Sequence, residues 1–375
     1  MIFRFGFIDK QKILIFFILS LTVLSIAFRN EALIACWSVV VFAYILFGVF
    51  QFHLNAGRST ILYLVTLLLT SICLPYAVLN DSMAVLHYYI SVSALTVAYI
   101  MRRSLLSLFC AVRAVLYVFQ FVVVFYLLHS GLDGFPLENI IPGSSSNGVT
   151  SYLIVLQAAF SSLNYIVFRR VDILPALLTV IICFVGYGRG SVIASSLILF
   201  INTSYYLSSS KKLFFFTGIV LLIGLVFSAG KWESEILDFV NSKTKIGSGV
   251  YDSNRMEMHS DYLSKIDGVT FFTGASYEGT SIGYKYNGNP HSSYIRGHHI
   301  FGVFFLFGIC IPLILVWFSK VAASLRFYVL SMIAVVMLRA ATEPILFPTF
   351  LDVLYYCIVF SFLEFSEGKG SYGEG

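Results

Sequence analysis

Long apolar blocks separated by short polar segments make up most of the chain. Many of these blocks are long enough to cross the roughly 30 Å hydrocarbon core of a bilayer as one helix. Apolar and polar residues do not alternate within a block such as residues 213–227, whereas a strand of a membrane barrel alternates them. Because lipid cannot hydrogen-bond to the backbone, the pattern predicts membrane-spanning helices.

We predict an all-α polytopic integral membrane protein with about twelve transmembrane helices, which form a single membrane domain over residues 1–375. Short polar segments mark the ends of the helices. The predicted spans are residues 12–28, 32–54, 60–79, 82–101, 105–129, 148–168, 173–187, 190–207, 213–230, 298–319, 322–340 and 344–363.

Composition excludes a water-soluble fold. Hydrophobic residues make up 58% of the chain and charged residues 11%, whereas soluble domains contain about 25% charged residues. The net charge of +5 is not gathered into a basic stripe, so nucleic acid is not an expected partner. The six cysteines lie within apolar blocks without metal-ligand spacing, and we interpret them as small buried hydrophobic residues.

Basic residues are distributed unevenly between the two sets of alternating loops. With the N-terminus inside, cytoplasmic segments hold thirteen of them and short outside turns hold three. Lys and Arg favour short cytoplasmic loops, so the pattern predicts that both termini are cytoplasmic. The thirteen are Arg4, Lys10, Lys12, Arg58, Arg102, Arg103, Arg169, Arg170, Lys211, Lys212, Lys320, Arg326 and Lys369; the three are Arg29, Arg189 and Arg339.

Two predicted outside segments are too long to be simple turns. Residues 130–147 are rich in Gly, Pro and Ser. Residues 231–297 form a large loop of 67 residues with eight acidic and seven basic side chains. Within it, residues 232–240 and 255–265 have an amphipathic helical pattern. Loops of this length are usually functional or disordered, and the aromatic and charged content of this one favours an ordered subdomain at the membrane surface.

Arg189 lies between two glycines at a break between two predicted spans. A guanidinium group there can bind a phosphate through two parallel hydrogen bonds, and the glycines would let the phosphate approach the backbone. The alternative is a turn with one interfacial arginine.

Arg255 opens the second amphipathic segment of the large loop, and His259 follows four residues later on the same helical face. The alternative is an ordinary solvated helix. A zinc site at His259 with Glu257 or Asp261 lacks a convincing third ligand.

His291 precedes the tenth predicted span, and its imidazole can accept a proton from a sugar hydroxyl near neutral pH. Two charges, Arg113 and Asp352, fall about eight residues inside predicted spans. Buried charges in membranes tend to pair, so we expect an Arg113–Asp352 ion pair near mid-membrane. A proton or substrate path through a transporter is the alternative.

These outside residues, in this order, resemble the bacterial O-antigen polymerase and O-antigen ligase superfamily. The resemblance covers residues 189–302, and hydropathy extends it over the chain. Gly188 and Ser292 replace the usual serine and asparagine of two motifs, and Phe305 replaces the second glycine of the last one. The matching segments are Gly188-Arg189-Gly190-Ser191, Ser253-Asn254-Arg255, Phe272-Thr273-Gly274-Ala275-Ser276, and His291-Ser292-Ser293-Tyr294-Ile295 with Gly302.

The resemblance implies a metal-independent inner-membrane glycosyltransferase without a cofactor, whose large loop is periplasmic. Its donor would be an oligosaccharide on undecaprenyl diphosphate. Arg189 and Arg255 would hold the diphosphate, and His291 would act as base or orient the acceptor. We also assign Tyr294 and Arg296 to substrate binding. A chain-length regulator and a flippase are the expected protein partners.

We therefore expect a surface-polysaccharide polymerase of the Wzy type, which adds lipid-linked glycan to a new lipid-linked repeat unit. Two alternatives remain. An O-antigen ligase would use the same donor but lipid A–core as acceptor. A polysaccharide flippase or secondary transporter would use Arg113 and Asp352 as coupling charges, but the chain contains no internal repeat of the kind transporters often show.

Overall fold

A computed structural model describes residues 10–28, 30–50, 57–72, 74–80, 83–130, 137–138, 140–141, 146–186, 188–207 and 253–368. All regular secondary structure in these residues is helical. The helices are α1 (Lys10–Phe28), α2 (Glu31–Phe50), α3 (Arg58–Ile72), α4 (Leu74–Asn80), α5 (Ala84–Met101), α6 (Leu105–Ser130), α7 (Ser146–Phe168), α8 (Ile173–Val185), α9 (Arg189–Leu207), α10 (Ser253–Ser264), α11 (Thr270–Thr273), α12 (Ser281–Tyr284), α13 (Ser293–Phe301), α14 (Phe304–Trp317), α15 (Ala323–Thr342) and α16 (Asp352–Ser366).

Within the described ranges, seven helical segments are long and apolar enough to cross a membrane, and the bent α13–α14 pair would make eight. The multi-pass, membrane-associated architecture is thus supported, whereas the count of twelve spans is not. One of the seven is the 46-residue segment Ala84–His129, in which the 3-10 turn Arg102–Ser104 separates two predicted spans. The predicted ninth span and the loop helix at residues 232–240 lie outside the described residues.

Two predicted spans differ from the helices of the structure. The predicted span at residues 298–319 is divided at Gly302, where α13 and α14 meet at a bend of 119°. The predicted span at residues 344–363 starts at Asp352 instead. Proline disfavours helical backbone in the residue before it, and Glu343, which precedes Pro344, is extended with φ −147° and ψ 144°.

Helices α7 and α16 form the centre of the bundle. α16 packs against α5 and α7, and α7 also contacts α6, α9 and α15. Exposed apolar side chains such as Phe125 (63%) and Phe200 (62%) lie on outer helices. This distribution is that of a bundle whose outer surface faces lipid.

Buried polar side chains join several of these helices. Gln120 Nε2 donates to Thr179 Oγ1 at 3.0 Å, and Thr179 Oγ1 donates to Gln157 Oε1 at 3.1 Å. Near the C-terminal end of α9, Asn202 Oδ1 accepts a hydrogen bond of 2.6 Å from Tyr328 Oη on α15. In a membrane, apolar side chains gain little by exchanging lipid for another helix. Hydrogen bonds between helices therefore help to hold the bundle together.

Three of the arginines predicted to be cytoplasmic meet at the C-terminal end of α16. Arg102 Nε lies 3.0 Å from Glu364 Oε2 in a buried ion pair. The guanidinium of Arg169 lies 4.4 Å from the centre of the Phe365 ring, and the backbone N–H of Arg58 donates to Glu367. Arg189 and Arg339, the two arginines of the predicted outside turns that the structure describes, lie at the other end of the bundle, where α16 begins.

Residues 253–301 fold into a small subdomain at that other end. Its helix α10 agrees with the predicted helix at residues 255–265. A second hydrophobic cluster fixes α10 to the following loops and to α13; its buried members are Met258, Tyr262, Ala275, Ile282 and Ile295.

Candidate functional site

The segment around Arg189 is packed closely against two neighbouring helices. A Cβ atom on Gly188 would lie 2.2 Å from Asn147 Oδ1, and one on Gly190 would lie 2.7 Å from Arg339 Nη1. A side chain at either position would have to displace Asn147 or Arg339. We expected these glycines to admit a phosphate to the backbone, but protein side chains occupy the space beside both of them.

Arg189 is the first residue of α9 and is half-buried. Its Nη1 atom is inaccessible to water and finds no hydrogen-bond acceptor among the described residues. A buried donor without an acceptor costs about 1–3 kcal/mol. An anionic ligand would satisfy this nitrogen, and the N-terminus of α9 adds a favourable dipole for an anion.

Arg339, near the end of α15, is only 2% exposed and connects α15 to the start of α7. Its Nε donates to Ser151 Oγ at 3.0 Å and its Nη2 donates to the carbonyl of Asn147 at 3.3 Å. Nη1 donates to Thr342 Oγ1 at 2.9 Å. We placed this residue in an outside turn as one of three short-loop charges; its role in organising the site was not predicted.

Glu343 lies between Arg339 and Arg255. Its Oε1 atom is 3.8 Å from Arg339 Nη2 and 3.4 Å from Arg255 Nη2. Both distances exceed the 2.7–2.9 Å of a strong charge-assisted bond, so one carboxylate oxygen is shared loosely between two guanidinium groups. The Glu343 side chain is 9% exposed and that of Arg255 is 29% exposed.

The chain that follows His291 is fixed to the same region. Ser293 Oγ donates to the carbonyl of Glu343 at 2.8 Å and accepts a hydrogen bond from the Leu346 backbone N–H at 3.0 Å. Arg296 Nη1 donates to the carbonyl of Pro344 at 3.2 Å. Tyr294 Oη donates to the carbonyl of Met337 at 3.1 Å. Tyr294 therefore anchors α13 to α15, while Arg296 remains next to the site.

His291 itself occupies a tight turn. Its backbone has a φ of 47°, and its N–H donates to Asn289 Oδ1 at 3.1 Å. Its ring is perpendicular to the Tyr286 ring, with centroids 6.0 Å apart. The turn, rather than a helix, presents this imidazole.

A cavity of about 380 Å³ is lined by His291, Arg296 and Glu343, and we call it the arginine cavity because Arg255 and Arg339 flank Glu343 at its wall. Its volume is within the usual range of about 300–1,000 Å³ for small-molecule sites. Polar residues and a glycine that line the arginine cavity include His87, Gly148, His291, Arg296 and Glu343. The sequence segments of Arg255 and His291 thus meet at Glu343, and the segment of Arg189 meets them through Arg339.

His259 lies beside Arg255, as the four-residue spacing predicts. Burial, and then the positive charge of Arg255, lower the pKa of His259 below its ordinary value. Asp261 accepts a hydrogen bond from the Ser281 backbone N–H at 3.1 Å, and hydrogen bonds from Ser281 lower the pKa of this carboxyl. Among the described residues, no three His, Cys, Asp or Glu side chains are grouped closely enough to hold a metal ion.

His298 and His299, on α13, hold the subdomain together. His298 Nδ1 lies 2.8 Å from Tyr262 Oη, and His298 Nε2 lies 3.1 Å from the carbonyl of Phe271. His299 Nδ1 lies 2.6 Å from the carbonyl of Ala275. Both imidazoles are nearly inaccessible to water.

The expected Arg113–Asp352 ion pair does not form. Arg113 is exposed on α6, with its guanidinium 5.3 Å from the centre of the Phe109 ring. The Asp352 carboxylate is fully buried and accepts the backbone N–H groups of Phe347 and Thr349 at 2.9 Å and 3.0 Å. Since α16 starts at Asp352, this residue lies at a helix end and not eight residues inside a span.

Comparison with known proteins gives no assignment: no protein-family model, curated protein or solved structure matches this chain.

Proposed function

We propose that this chain is a metal-independent membrane glycosyltransferase, a surface-polysaccharide polymerase of the O-antigen type. It transfers a glycan from undecaprenyl diphosphate to a lipid-linked repeat unit. The observation that supports this proposal is that three sequence segments, those of Arg189, Arg255 and His291, converge at one end of the bundle around Glu343 and Arg339.

The charges of this region suit an anionic donor. Arg189, Arg255, Arg296 and Arg339 outnumber the nearby carboxylates, Glu343 and Asp352. Such an excess of positive charge stabilises a ligand that gains negative charge during reaction. A diphosphate leaving group is a ligand of this kind.

The proposed reaction needs an acceptor, a leaving group and a base. The acceptor hydroxyl oxygen forms a bond to the anomeric carbon of the donor glycan. The bond from that carbon to the diphosphate oxygen breaks, and its electron pair remains on the diphosphate, where Arg189 and Arg255 stabilise it. His291 accepts the hydroxyl proton.

The proposed topology places the site on the periplasmic side of the inner membrane, with both termini in the cytoplasm. Separation of Arg58, Arg102 and Arg169 from the site arginines supports this arrangement. Reporter fusions after Leu263 and at Gly375 should report opposite sides of the membrane. The same side for both fusions would contradict the topology.

Deletion of the chain distinguishes a polymerase from a ligase. Without a polymerase, ligation continues, and lipid A–core should carry a single repeat unit on a lipopolysaccharide gel. Bare core together with accumulated lipid-linked polymer would identify a ligase.

The site is tested by complementation, in which variants of the chain are expressed in the deletion strain. Arg189→Lys and Arg255→Lys keep the charge but lose the planar fork that binds two phosphate oxygens, so long-chain polysaccharide should fall severely at normal protein level. Arg113→Lys, the matched control on α6, should restore it fully. If Arg189→Lys also restores it, Arg189 is only an interfacial arginine. If Arg113→Lys fails while Arg189→Lys succeeds, the transporter alternative gains support.

A further inference from the structure

A second cavity, of about 390 Å³, adjoins the arginine cavity, and we call it the loop cavity. It is formed by the loop between α11 and α13, by α13 itself and by the start of α5. The lining residues used below are His87, Tyr277, Glu278, Gly283, Arg296 and His299.

The loop that forms this cavity has a fixed shape. Ile282 is fully buried in the second hydrophobic cluster, next to Tyr262. A Cβ atom on Gly283 would lie 2.7 Å from the carbonyl oxygen of Tyr277, so the loop closes tightly on itself. Gly288 has a φ of 76° and its N–H donates to the carbonyl of Ile282 at 2.8 Å. A loop that is already fixed loses little conformational entropy when a ligand binds.

Tyr277 is held by two aromatic neighbours. Its ring stacks on the His299 imidazole, with centroids 3.8 Å apart and planes inclined by 16°. Its edge contact with Tyr262 has a centroid distance of 5.7 Å. A fixed aromatic ring beside a carboxylate, Glu278, and a guanidinium, Arg296, offers an apolar surface together with strong hydrogen-bonding groups.

The loop and arginine cavities share three lining residues, His87, Gly288 and Arg296. We propose that the loop cavity binds the acceptor saccharide; this inference rests on the proposed glycosyl transfer. Sugars combine C–H faces that pack on aromatic rings with hydroxyls that pair with carboxylate and guanidinium groups. A saccharide in the loop cavity would present a hydroxyl toward the arginine cavity across the boundary formed by His87 and Arg296.

The two cavities differ in charge as this division of labour requires. Each cavity is lined by Arg296 and one carboxylate. Glu343 of the arginine cavity has two further cations beside it, Arg255 at 3.4 Å and Arg339 at 3.8 Å, so the phosphates belong there. Glu278 of the loop cavity is exposed and lacks such a pair of arginines among the described residues. A carboxylate that is not compensated repels a diphosphate but accepts hydrogen bonds from sugar hydroxyls, which favours the uncharged part of a glycan.

The test uses the full chain in lipid nanodiscs and, as probe, the lipid-free repeat-unit oligosaccharide released by mild acid from the producing strain. Binding is measured by saturation-transfer NMR titration. Glu278→Ala should weaken binding about tenfold, the loss expected for a hydrogen bond to a charged group. Glu257→Ala is the matched control, because Glu257 is a similarly exposed acid of the same subdomain that does not line the cavity.

Three results would overturn the site: no binding of the oligosaccharide to the wild-type chain, equal binding by the Glu278→Ala and Glu257→Ala proteins, or displacement of the oligosaccharide by inorganic diphosphate. Deletion of the chain separates this inference from the proposed function. If the deletion strain still makes long-chain polysaccharide, the proposed function fails whatever the saccharide result. If deletion abolishes the long chains but the Glu278→Ala protein binds the oligosaccharide like wild type, only the loop-cavity site fails.

Discussion

Arg255 Nη2 lies 3.4 Å from Glu343 Oε1, although 88 positions separate the two residues in the chain. The contact joins the subdomain of α10–α13 to the end of α15. Since Arg339 approaches the same oxygen at 3.8 Å, Glu343 holds two cations beside the arginine cavity. Its backbone carbonyl also fixes Ser293, two residues after His291.

Glu343→Gln should destabilise the protein by about 3 kcal/mol, because loss of one partner from a buried ion pair leaves charge uncompensated. This value is the low end of the range of about 3–5 kcal/mol for a broken buried pair, because the Arg255 side chain is 29% exposed. Glu257→Gln is the matched control, since its partner Lys285 is 44% exposed and surface pairs contribute about 0–1 kcal/mol. Apparent thermal unfolding of purified protein in detergent measures both. Equal losses would show that Glu343 is not a structural charge partner.

Asp352→Ala should lower stability markedly, because two buried backbone N–H groups, of Phe347 and Thr349, lose their acceptor. Each unsatisfied group costs about 1–3 kcal/mol. Arg113→Leu should have little effect on protein abundance. The double variant should show the sum of the two single effects, since sites without shared contacts are additive. Recovery of abundance in the double variant would restore the ion-pair hypothesis.

Gly302→Ala should disrupt the junction of α13 with α14. The backbone φ is 55°, and a Cβ atom would lie 1.8 Å from the carbonyl oxygen of Phe272. Left-handed backbone costs about 1–2 kcal/mol for a residue with a side chain, and the clash adds about 1–3 kcal/mol. Gly268→Ala, with nothing within 4 Å of its Cβ position, is the control. Limited proteolysis of the subdomain should accelerate only for Gly302→Ala, and unchanged proteolysis would contradict the packing.

Acidification should destabilise the subdomain through His259. Burial and Arg255 lower the folded-state pKa of His259 below the ordinary value of 6.5. Between these two pKa values the unfolded chain binds more protons than the folded one, so stability rises with pH there. The contribution is complete above about pH 6.5 and is lost as pH falls toward the folded-state pKa. Apparent unfolding temperature should therefore fall less between pH 7 and pH 5 for His259→Gln than for wild type. Identical slopes would contradict the assignment.

Sequence patterns predicted helices best where apolar blocks are long and end at charged residues. α6 and α7 begin and end within a few residues of the predicted spans at 105–129 and 148–168. The prediction failed at Asp352 because residues 344–351 are apolar enough to resemble a span, while two prolines, Pro344 and Pro348, prevent helix there. A hydropathy scale does not register that proline lacks the backbone N–H that a helix uses as a hydrogen-bond donor.

The site residues were only partly predictable. Arg255 and His291 were identifiable as candidates because polar side chains of the large loop stand out from an apolar chain. Glu343 and His87 were missed, since neither has a motif and their positions depend on tertiary packing. One signal was present: Arg339 and Glu343 are four residues apart at the end of an apolar block, the spacing of a helical ion pair.

Glycosyl transfer from a lipid diphosphate is tested most directly by reconstitution of the full chain in liposomes with purified undecaprenyl-diphosphate-linked repeat unit as the only glycan. The expected result is a ladder of longer lipid-linked glycans, with one undecaprenyl diphosphate released for each new bond, and no ladder with the Arg189→Lys protein. Unchanged repeat units in the presence of wild-type protein, or glycan transfer only after lipid A–core is added, would contradict a polymerase.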